Sequence, residues 1–211
     1  LIGAITAEES ATLVIDSADA QSDGKIVIEP RTNYTIGRFE VPMINDISRV
    51  GLMVTDVSRK NKPGATVTGI DWNLGFLDNR LFTNGQIVRS DNNNITGNAV
   101  RFNLGYMDSF WWSARFWYGH YDDEFDVNDL GYLRRNNMNW VGGRVEFRKQ
   151  EPWGRFIYND LEFKYRQEWR GDDLVLEREL EIEQGNLFTN YWRAGFFSKV
   201  FLPAYNDEDI F

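Results

Sequence analysis

The sequence contains no cysteine and a single histidine, His120. The lack of cysteine excludes a disulfide framework, thiolate metal sites and a cysteine nucleophile, although it leaves an oxidising compartment open. One histidine without cysteine also excludes a histidine-based zinc site. No Gly-x-Ser-x-Gly motif accompanies His120, so the sequence does not indicate Ser–His–Asp catalysis. We therefore expect no enzyme and no cofactor, and we expect His120 to be an interfacial or loop-facing residue.

Long apolar runs and an excess of basic residues are also missing. No apolar run reaches the ~18 residues that make a candidate transmembrane helix. The formal net charge is −9, whereas binding to nucleic-acid phosphates requires a basic surface. A nucleic-acid partner is therefore not expected.

The sequence is rich in aromatic residues, with 8 Trp, 9 Tyr and 15 Phe, and in segments that alternate polar and apolar residues. The clearest segment is 66–76, where Ile70 and Trp72 fall on one face and Gly69 and Asp71 fall on the other. Alternation with a period of two indicates a β-strand with one buried face. The fold class that this pattern predicts is all-β and antiparallel.

Segment 80–89 predicts a return strand after a tight turn at Leu77 and Asp78. Pairing Gly75 with Arg80 gives both strands one apolar and one polar face. Similar segments recur at 34–41, 47–57, 99–107, 111–120, 138–148, 156–169, 174–183 and 187–201, so we predict about eleven strands. The polar segment 8–31 is predicted to be a long loop, with a short strand at 25–28 as the alternative.

The predicted connections alternate in length. Short turns are expected near Pro42, at Leu77 and Asp78, after Met107 and near Pro152. Longer loops are expected at 58–64, 91–97 and 121–137, followed by a modest turn at 171–173 and a short turn at 184–185. Short turns at one end and long loops at the other are typical of an up-and-down outer-membrane β-barrel. A soluble β domain is the alternative.

The polar faces of the predicted strands carry interleaved charges. In a transmembrane barrel these side chains would line a hydrated lumen and pair across neighbouring strands. The residues predicted to line the lumen are Arg101, Arg115, Arg144, Glu162, Lys164, Arg166, Glu177, Glu179 and Glu181. A solvated outer face would carry the same charges. A glycosidase pair such as Glu177 and Glu179 is not favoured, because this spacing occurs on any polar strand face.

The longest polar interruption in the second half of the chain is 121–137, and it is strongly acidic. Asp126, Asn128 and Gly131 resemble the start of an EF-hand loop, but Asn137 occupies the position where that loop needs Glu. A calcium site of another kind stays open. We expect an extracellular loop that is fixed by Gly131 and by pairing of its acids with Arg134 and Arg135. Phe125 and Tyr132 are expected to pack this loop over the barrel mouth.

The same loop carries a family resemblance within segment 125–135. The residues that match the family's loop motif are Phe125, Asn128, Asp129, Leu130, Gly131, Tyr132 and Arg134. Segments 51–55 and 69–73 match further strand motifs. The chain resembles a bacterial outer-membrane family in which a β-barrel of unknown function follows a domain similar to carbohydrate-binding module family 9. The resemblance implies a transmembrane barrel in a Gram-negative bacterium.

We therefore expect residues 1–211 to form a single segment of an up-and-down transmembrane β-barrel. The strand-like start without an initiator Met favours a piece of a longer chain. The expected function is passage, anchoring or surface presentation without catalysis. Its first expected partner is outer-membrane lipid. A further expected partner is either another outer-membrane or secreted protein or a glycan. The alternative is a soluble extracellular β domain that binds saccharides through exposed aromatic residues such as Trp111, Trp117 or Trp140.

Overall fold

A computed structural model describes residues 1–17, 20–108, 110–129 and 131–205, and every regular element in them is a β-strand. The strands are β1 (Ile2–Thr6), β2 (Glu9–Ser17), β3 (Ala20–Glu29), β4 (Thr32–Met43), β5 (Asn45–Arg59), β6 (Lys62–Phe76), β7 (Leu81–Asn92), β8 (Ile95–Met107), β9 (Trp112–Tyr121), β10 (Met138–Lys149), β11 (Phe156–Arg170), β12 (Val175–Phe188) and β13 (Arg193–Phe201). These residues include no helix of the length and apolarity that a membrane crossing requires.

Eleven strands form one antiparallel sheet in the order β1-β4-β5-β6-β7-β8-β9-β10-β11-β12-β13. Consecutive strands are hydrogen-bonded neighbours from β4 onwards, which is the up-and-down order that the alternating sequence predicts. β1 and β13 are the two edge strands, and the sheet is open between them. The loop between β9 and β10 lies at one end of the sheet, which we call the loop end. The opposite end is called the turn end.

The prediction of a long loop at 8–31 is wrong, because β2 and β3 pair as an antiparallel hairpin there. This hairpin continues the pairing of β1 with β4: Thr6 pairs with Thr32, and Glu9 pairs with Glu29. The ladder is interrupted only around residues 7–8 and 30–31. Backbone pairing that extends an existing hairpin does not require an apolar face, so the polar composition of this segment concealed the strands.

The register predicted for the β6–β7 hairpin is wrong by two residues. Gly75 pairs with Phe82 rather than with Arg80. The connection is a four-residue turn in which Leu77, Asp78 and Asn79 all have positive φ. Because a slip of two residues keeps every side chain on its face, the alternating pattern fits both registers.

Two of the predicted longer loops are tight turns. β7 and β8 are joined by Asn93 and Asn94, whose φ angles are 55° and 64°. Positive φ at both central residues is the geometry of a type I′ hairpin turn, which asparagine tolerates well. β5 and β6 are joined by Lys60 and Asn61 alone. The predicted alternation of short and long connections therefore does not hold. Among the strand connections of the main sheet within the described residues, only the β9–β10 loop is long.

The turn predicted at Gln184 and Gly185 is also wrong, since both residues lie inside β12. Gly185 pairs with Asp160 of β11 and with Gly195 of β13. A Cβ atom at position 185 would lie 2.6 Å from an Asp160 carboxylate oxygen. This glycine therefore marks a close cross-strand approach, and the true turn comes at residues 189–192.

The sheet has one apolar and one polar face. The apolar face is defined by cross-strand rows such as Leu52–Ile70–Ile87–Val100 and Val145–Phe163–Ile182. Its side chains are widely exposed: Ile87 is 56% exposed and Phe163 is 40% exposed. The polar face carries the charged residues of the same strands. No second layer of strands or helices covers the apolar face in the described part of the chain.

The buried apolar core of the described residues is small and consists of Val57, Ala65, Ala99 and Phe125. Val57 pairs with Ala65 across β5 and β6, and both lie on the polar face near the loop end. Ala99 lies on the same face of β8, and Phe125 belongs to the β9–β10 loop. The most buried part of this structure is therefore the patch of sheet at the loop end against which the β9–β10 loop packs.

Candidate functional site on the polar face

All of the side chains predicted to line a lumen project from the polar face. The cross-strand pairs show this directly, because residues paired across a ladder point to the same side of a sheet. One row runs Arg115–Arg144–Lys164–Glu181–Lys199 across β9 to β13. The adjacent rows contain Trp117–Gly142–Arg166–Glu179 and Arg101–Gly119–Trp140–Glu168–Glu177. Glu162 lies on this face between Glu146 and Glu183.

The charges of β11 to β13 form a dense ionic network. Lys164 Nζ donates a hydrogen bond of 2.8 Å to Glu181 Oε2. Lys199 Nζ lies 2.9 Å from Glu181 Oε1 and 2.5 Å from Glu179 Oε2. Glu179 is only 1% exposed, so Lys199 compensates a carboxylate that has lost almost all of its water. Arg166 completes the network through ion pairs with Glu168 and with Glu177.

The charges of β8 to β10 are balanced less completely. Arg144 Nη1 lies 3.4 Å from Glu162 Oε2. The Arg115 guanidinium instead lies over the ring of Phe82, 5.4 Å from its centroid. Arg101 is exposed and projects from the row between Gln86 and Gly119. This half of the polar face is therefore rich in arginine, whereas β12 is rich in glutamate.

Three aromatic rings lie against glycines of neighbouring strands on the polar face. A Cβ atom at Gly142 would overlap the indole of Trp117, and one at Gly119 would overlap the indole of Trp140. A Cβ atom at Gly105 would likewise overlap the ring of Phe82. Each glycine thus provides space for a ring to lie flat across the sheet, an arrangement known to stabilise strand glycines. The sequence indicated none of these pairs, because they depend on the register.

The aromatic residues proposed as saccharide platforms fall into two groups. Trp117 and Trp140 are half-buried on the polar face. Trp111 is 59% exposed at the turn end and carries Lys149 Nζ 4.9 Å from its ring centroid. The three tryptophans therefore do not form one binding surface.

Phe125 anchors the β9–β10 loop to the loop end of the sheet. It is 4% exposed, stacks on Tyr121 with ring centroids 5.4 Å apart, and packs against Gly97 of β8. A side chain at position 97 would overlap the loop backbone. Tyr132, by contrast, is 84% exposed, so the expectation that it packs the loop down is wrong. Only one of the two aromatic residues serves as an anchor.

The acidic residues of this loop accept hydrogen bonds from the neighbouring strands. The Asn98 backbone N–H donates to Asp122 Oδ2 at 2.6 Å. Asn92 Nδ2 donates to both Asp126 Oδ2 and Asp129 Oδ2, at 3.1 and 3.2 Å. Asp129 also forms an ion pair with Arg59. The loop is therefore held across β5, β7 and β8 on the polar side of the sheet.

Other residues of the β9–β10 loop contact residues of the same loop. Asn128 Oδ1 accepts a hydrogen bond of 2.8 Å from the Leu133 backbone N–H. A Cβ atom at Gly131 would lie 3.1 Å from the Val127 carbonyl oxygen, so this position favours the smallest residue. Arg134 is exposed and Arg135 is half-buried. The predicted pairing of these two arginines with the loop acids stays a prediction, whereas the partner Arg59 was not anticipated.

Two further hypotheses from the sequence concern His120 and a metal site. The ring Nδ1 of His120 lies 2.7 Å from Asn139 Oδ1, across β9 and β10. Within residues 1–17, 20–108, 110–129 and 131–205, no group of three or more His, Asp or Glu side chains could hold a metal ion.

Comparisons with curated proteins, solved structures and family models differ in outcome. No curated protein and no solved structure matches the chain. A family model described as a domain of unknown function, DUF5916, matches residues 1–211. The chain therefore belongs to the DUF5916 family.

Proposed function

We propose that this chain is a segment of a bacterial outer-membrane β-barrel whose apolar face contacts lipid and whose polar face borders a hydrated lumen. Its role is passage, anchoring or presentation of a partner at the cell surface, without catalysis. The observation that carries the proposal is the uncovered apolar face, which extends over most strands of the eleven-stranded sheet. A sheet must bury its apolar face against another layer or against lipid.

The distribution of charge supports the same orientation. A charge on the lipid side of a barrel costs about 2–4 kcal/mol at mid-membrane for Arg or Lys. The ion pairs of β11 to β13 lie on the opposite face, where water and neighbouring charges are available. A lumen is the environment that suits such a network.

The aromatic residues at the turn end supply a third line of support. Phe110, Trp153 and Trp192 are exposed there, each beside a turn, together with Trp111 and Tyr191. Outer-membrane barrels carry belts of aromatic residues at the membrane–water boundary. In this orientation the turn end lies at such a boundary.

Cysteine labelling tests the proposal, because the natural chain has no cysteine. Leu104→Cys and Asn103→Cys are adjacent positions on the apolar and polar faces of β8. In membranes, a charged water-soluble maleimide is expected to label Asn103→Cys and to leave Leu104→Cys unlabelled until detergent denaturation. Equal labelling of both positions, or a folded monomeric chain in detergent-free buffer, would contradict the proposal.

A further inference from the structure

Three positively charged side chains stand opposite one another on the polar face. Arg115 of β9 is paired with Arg144 of β10, and Arg144 is paired with Lys164 of β11. Like charges directly opposite each other destabilise a sheet. Lys164 is compensated by Glu181 at 2.8 Å, and Arg144 by Glu162 at 3.4 Å. Arg115, the third member, has no carboxylate within ion-pair distance among the described residues.

Arg115 and Arg101 both keep their hydrogen-bond donors available to solvent. The side chain of Arg115 contacts the ring of Phe82, which lies over Gly105, and is exposed. Arg101 is exposed as well. In the part of the chain that the structure describes, neither guanidinium donates a hydrogen bond to protein. Each can therefore bind a carboxylate through two parallel hydrogen bonds.

Two tryptophans lie on the same face of the sheet, beside these two arginines. Trp117 follows Arg115 on the same face of β9, about 7 Å away at the usual strand rise. Trp117 lies over Gly142, and Trp140 lies over Gly119, the residue paired with Arg101. One indole therefore lies over β10 and the other over β9.

Amide side chains lie on the β7 and β8 side of these tryptophans. Asn103 is paired with Trp117 and donates a hydrogen bond of 2.9 Å to Asn84. Gln86 is paired with Arg101. Amides supply both donors and acceptors, which suits a ligand that carries hydroxyl groups in addition to a charge.

We propose that the surface formed by Arg101, Asn103, Arg115, Trp117 and Trp140 binds a carboxylated saccharide. The guanidiniums bind carboxylates, the indoles stack on the apolar faces of sugar rings, and the amides bind hydroxyls. This inference rests on the proposed function, because the polar face must be the hydrated one for a ligand to reach it.

Calorimetric titration of the detergent-solubilised chain with a galacturonate oligosaccharide tests the site. Arg115→Gln is expected to weaken binding about tenfold or more, since one lost charged hydrogen bond is worth roughly that factor. The substitution removes a like-charge opposition, so folding is expected to be preserved. Trp117→Leu is expected to weaken binding by removing the stacking surface. Raising the salt concentration is expected to weaken binding of the natural chain.

Arg49→Gln is the matched control, because Arg49 lies on the polar face of β5 and its guanidinium pairs with Glu40 at 3.3 Å. It is expected to leave the affinity unchanged. A neutral galactose oligosaccharide of the same length and inorganic sulfate are expected to bind much more weakly. No binding of the galacturonate, equal binding of the neutral sugar, or equal loss in Arg49→Gln and Arg115→Gln would overturn the proposal.

The two proposals fail in distinguishable ways. Labelling at positions 103 and 104 reports which face meets lipid, whatever the chain binds. If that labelling has the expected pattern and no galacturonate binds, only the saccharide site is wrong. If labelling shows a water-exposed apolar face, the barrel proposal is wrong regardless of the titration.

Discussion

At the scale of single residues, glycine shapes the polar face. Three glycines on β8, β9 and β10 each lie beneath an aromatic ring of a neighbouring strand. An aromatic ring covers the backbone that a strand glycine would leave exposed, which offsets the low strand preference of glycine. These contacts also hold the rings flat, as the proposed saccharide site requires.

Neighbouring glycines on opposite faces of β10 provide a direct test. Gly142→Ala is expected to lower the free energy of unfolding by about 1–3 kcal/mol, because its Cβ atom would displace the indole of Trp117. Gly143→Ala is expected to change it by less than about 0.5 kcal/mol. At Gly143 the nearest atom to the new Cβ is the Arg115 carbonyl oxygen at 3.6 Å.

The measurement is unfolding in detergent, followed by tryptophan fluorescence. The Gly142→Ala protein is also expected to change fluorescence in the folded state, because Trp117 must move. Equal stability of the two variants would mean that the ring does not rest on Gly142.

At the scale of elements, alternation predicted most strands of the main sheet but missed β2 and β3. Register and turns depended on features that alternation does not encode. The apolar face of 66–76 was predicted correctly. The slip from Arg80 to Phe82 as the partner of Gly75 preserves that face, so alternation could not detect it. The opposition of Arg115 and Arg144 exists only in the true register. Sequence reasoning therefore found the charged residues without finding which of them meet.

The β9–β10 loop also illustrates this limit. Its position and its acidic character were evident from the sequence, and Phe125 was expected to pack inward. The sequence did not reveal that the loop is attached to Arg59, Asn92 and Asn98. These residues belong to three other strands, and only the folded sheet brings them to the loop. Local sequence carries no signal for such distant partners.

Removal of the aromatic anchor is expected to release this loop. Phe125→Ala deletes a side chain that is 4% exposed, and such a loss costs about 3–5 kcal/mol in a packed core. The lost contacts are those that hold the loop against the sheet. We therefore expect rapid proteolytic cleavage between β9 and β10 while the sheet itself stays folded. Tyr132→Ala, in the same loop and 84% exposed, is the matched control and is expected to be cleaved at the natural rate. Equal cleavage of both variants would contradict the role of Phe125 as the anchor.

At the scale of the whole molecule, the number of strands determines how the sheet can close. The main sheet has eleven strands in antiparallel succession, so β1 and β13 run in the same direction. Direct pairing of these two edges would create a parallel ladder in an otherwise antiparallel sheet. One additional strand between them would pair antiparallel with both, and bacterial single-chain barrels have an even number of strands.

We therefore expect β1 and β13 to be separated by at least one further strand if the sheet closes into the barrel proposed above. Strands two positions apart lie about 9–10 Å from each other, whereas a disulfide needs Cα atoms within about 7 Å. Ala4→Cys combined with Phe197→Cys or with Phe201→Cys is expected to remain reduced under oxidising conditions in membranes. Glu183→Cys with Phe197→Cys, a directly paired position on β12 and β13, is the positive control and is expected to cross-link. A β1–β13 disulfide in the folded protein would establish parallel closure and overturn the expectation of an additional strand.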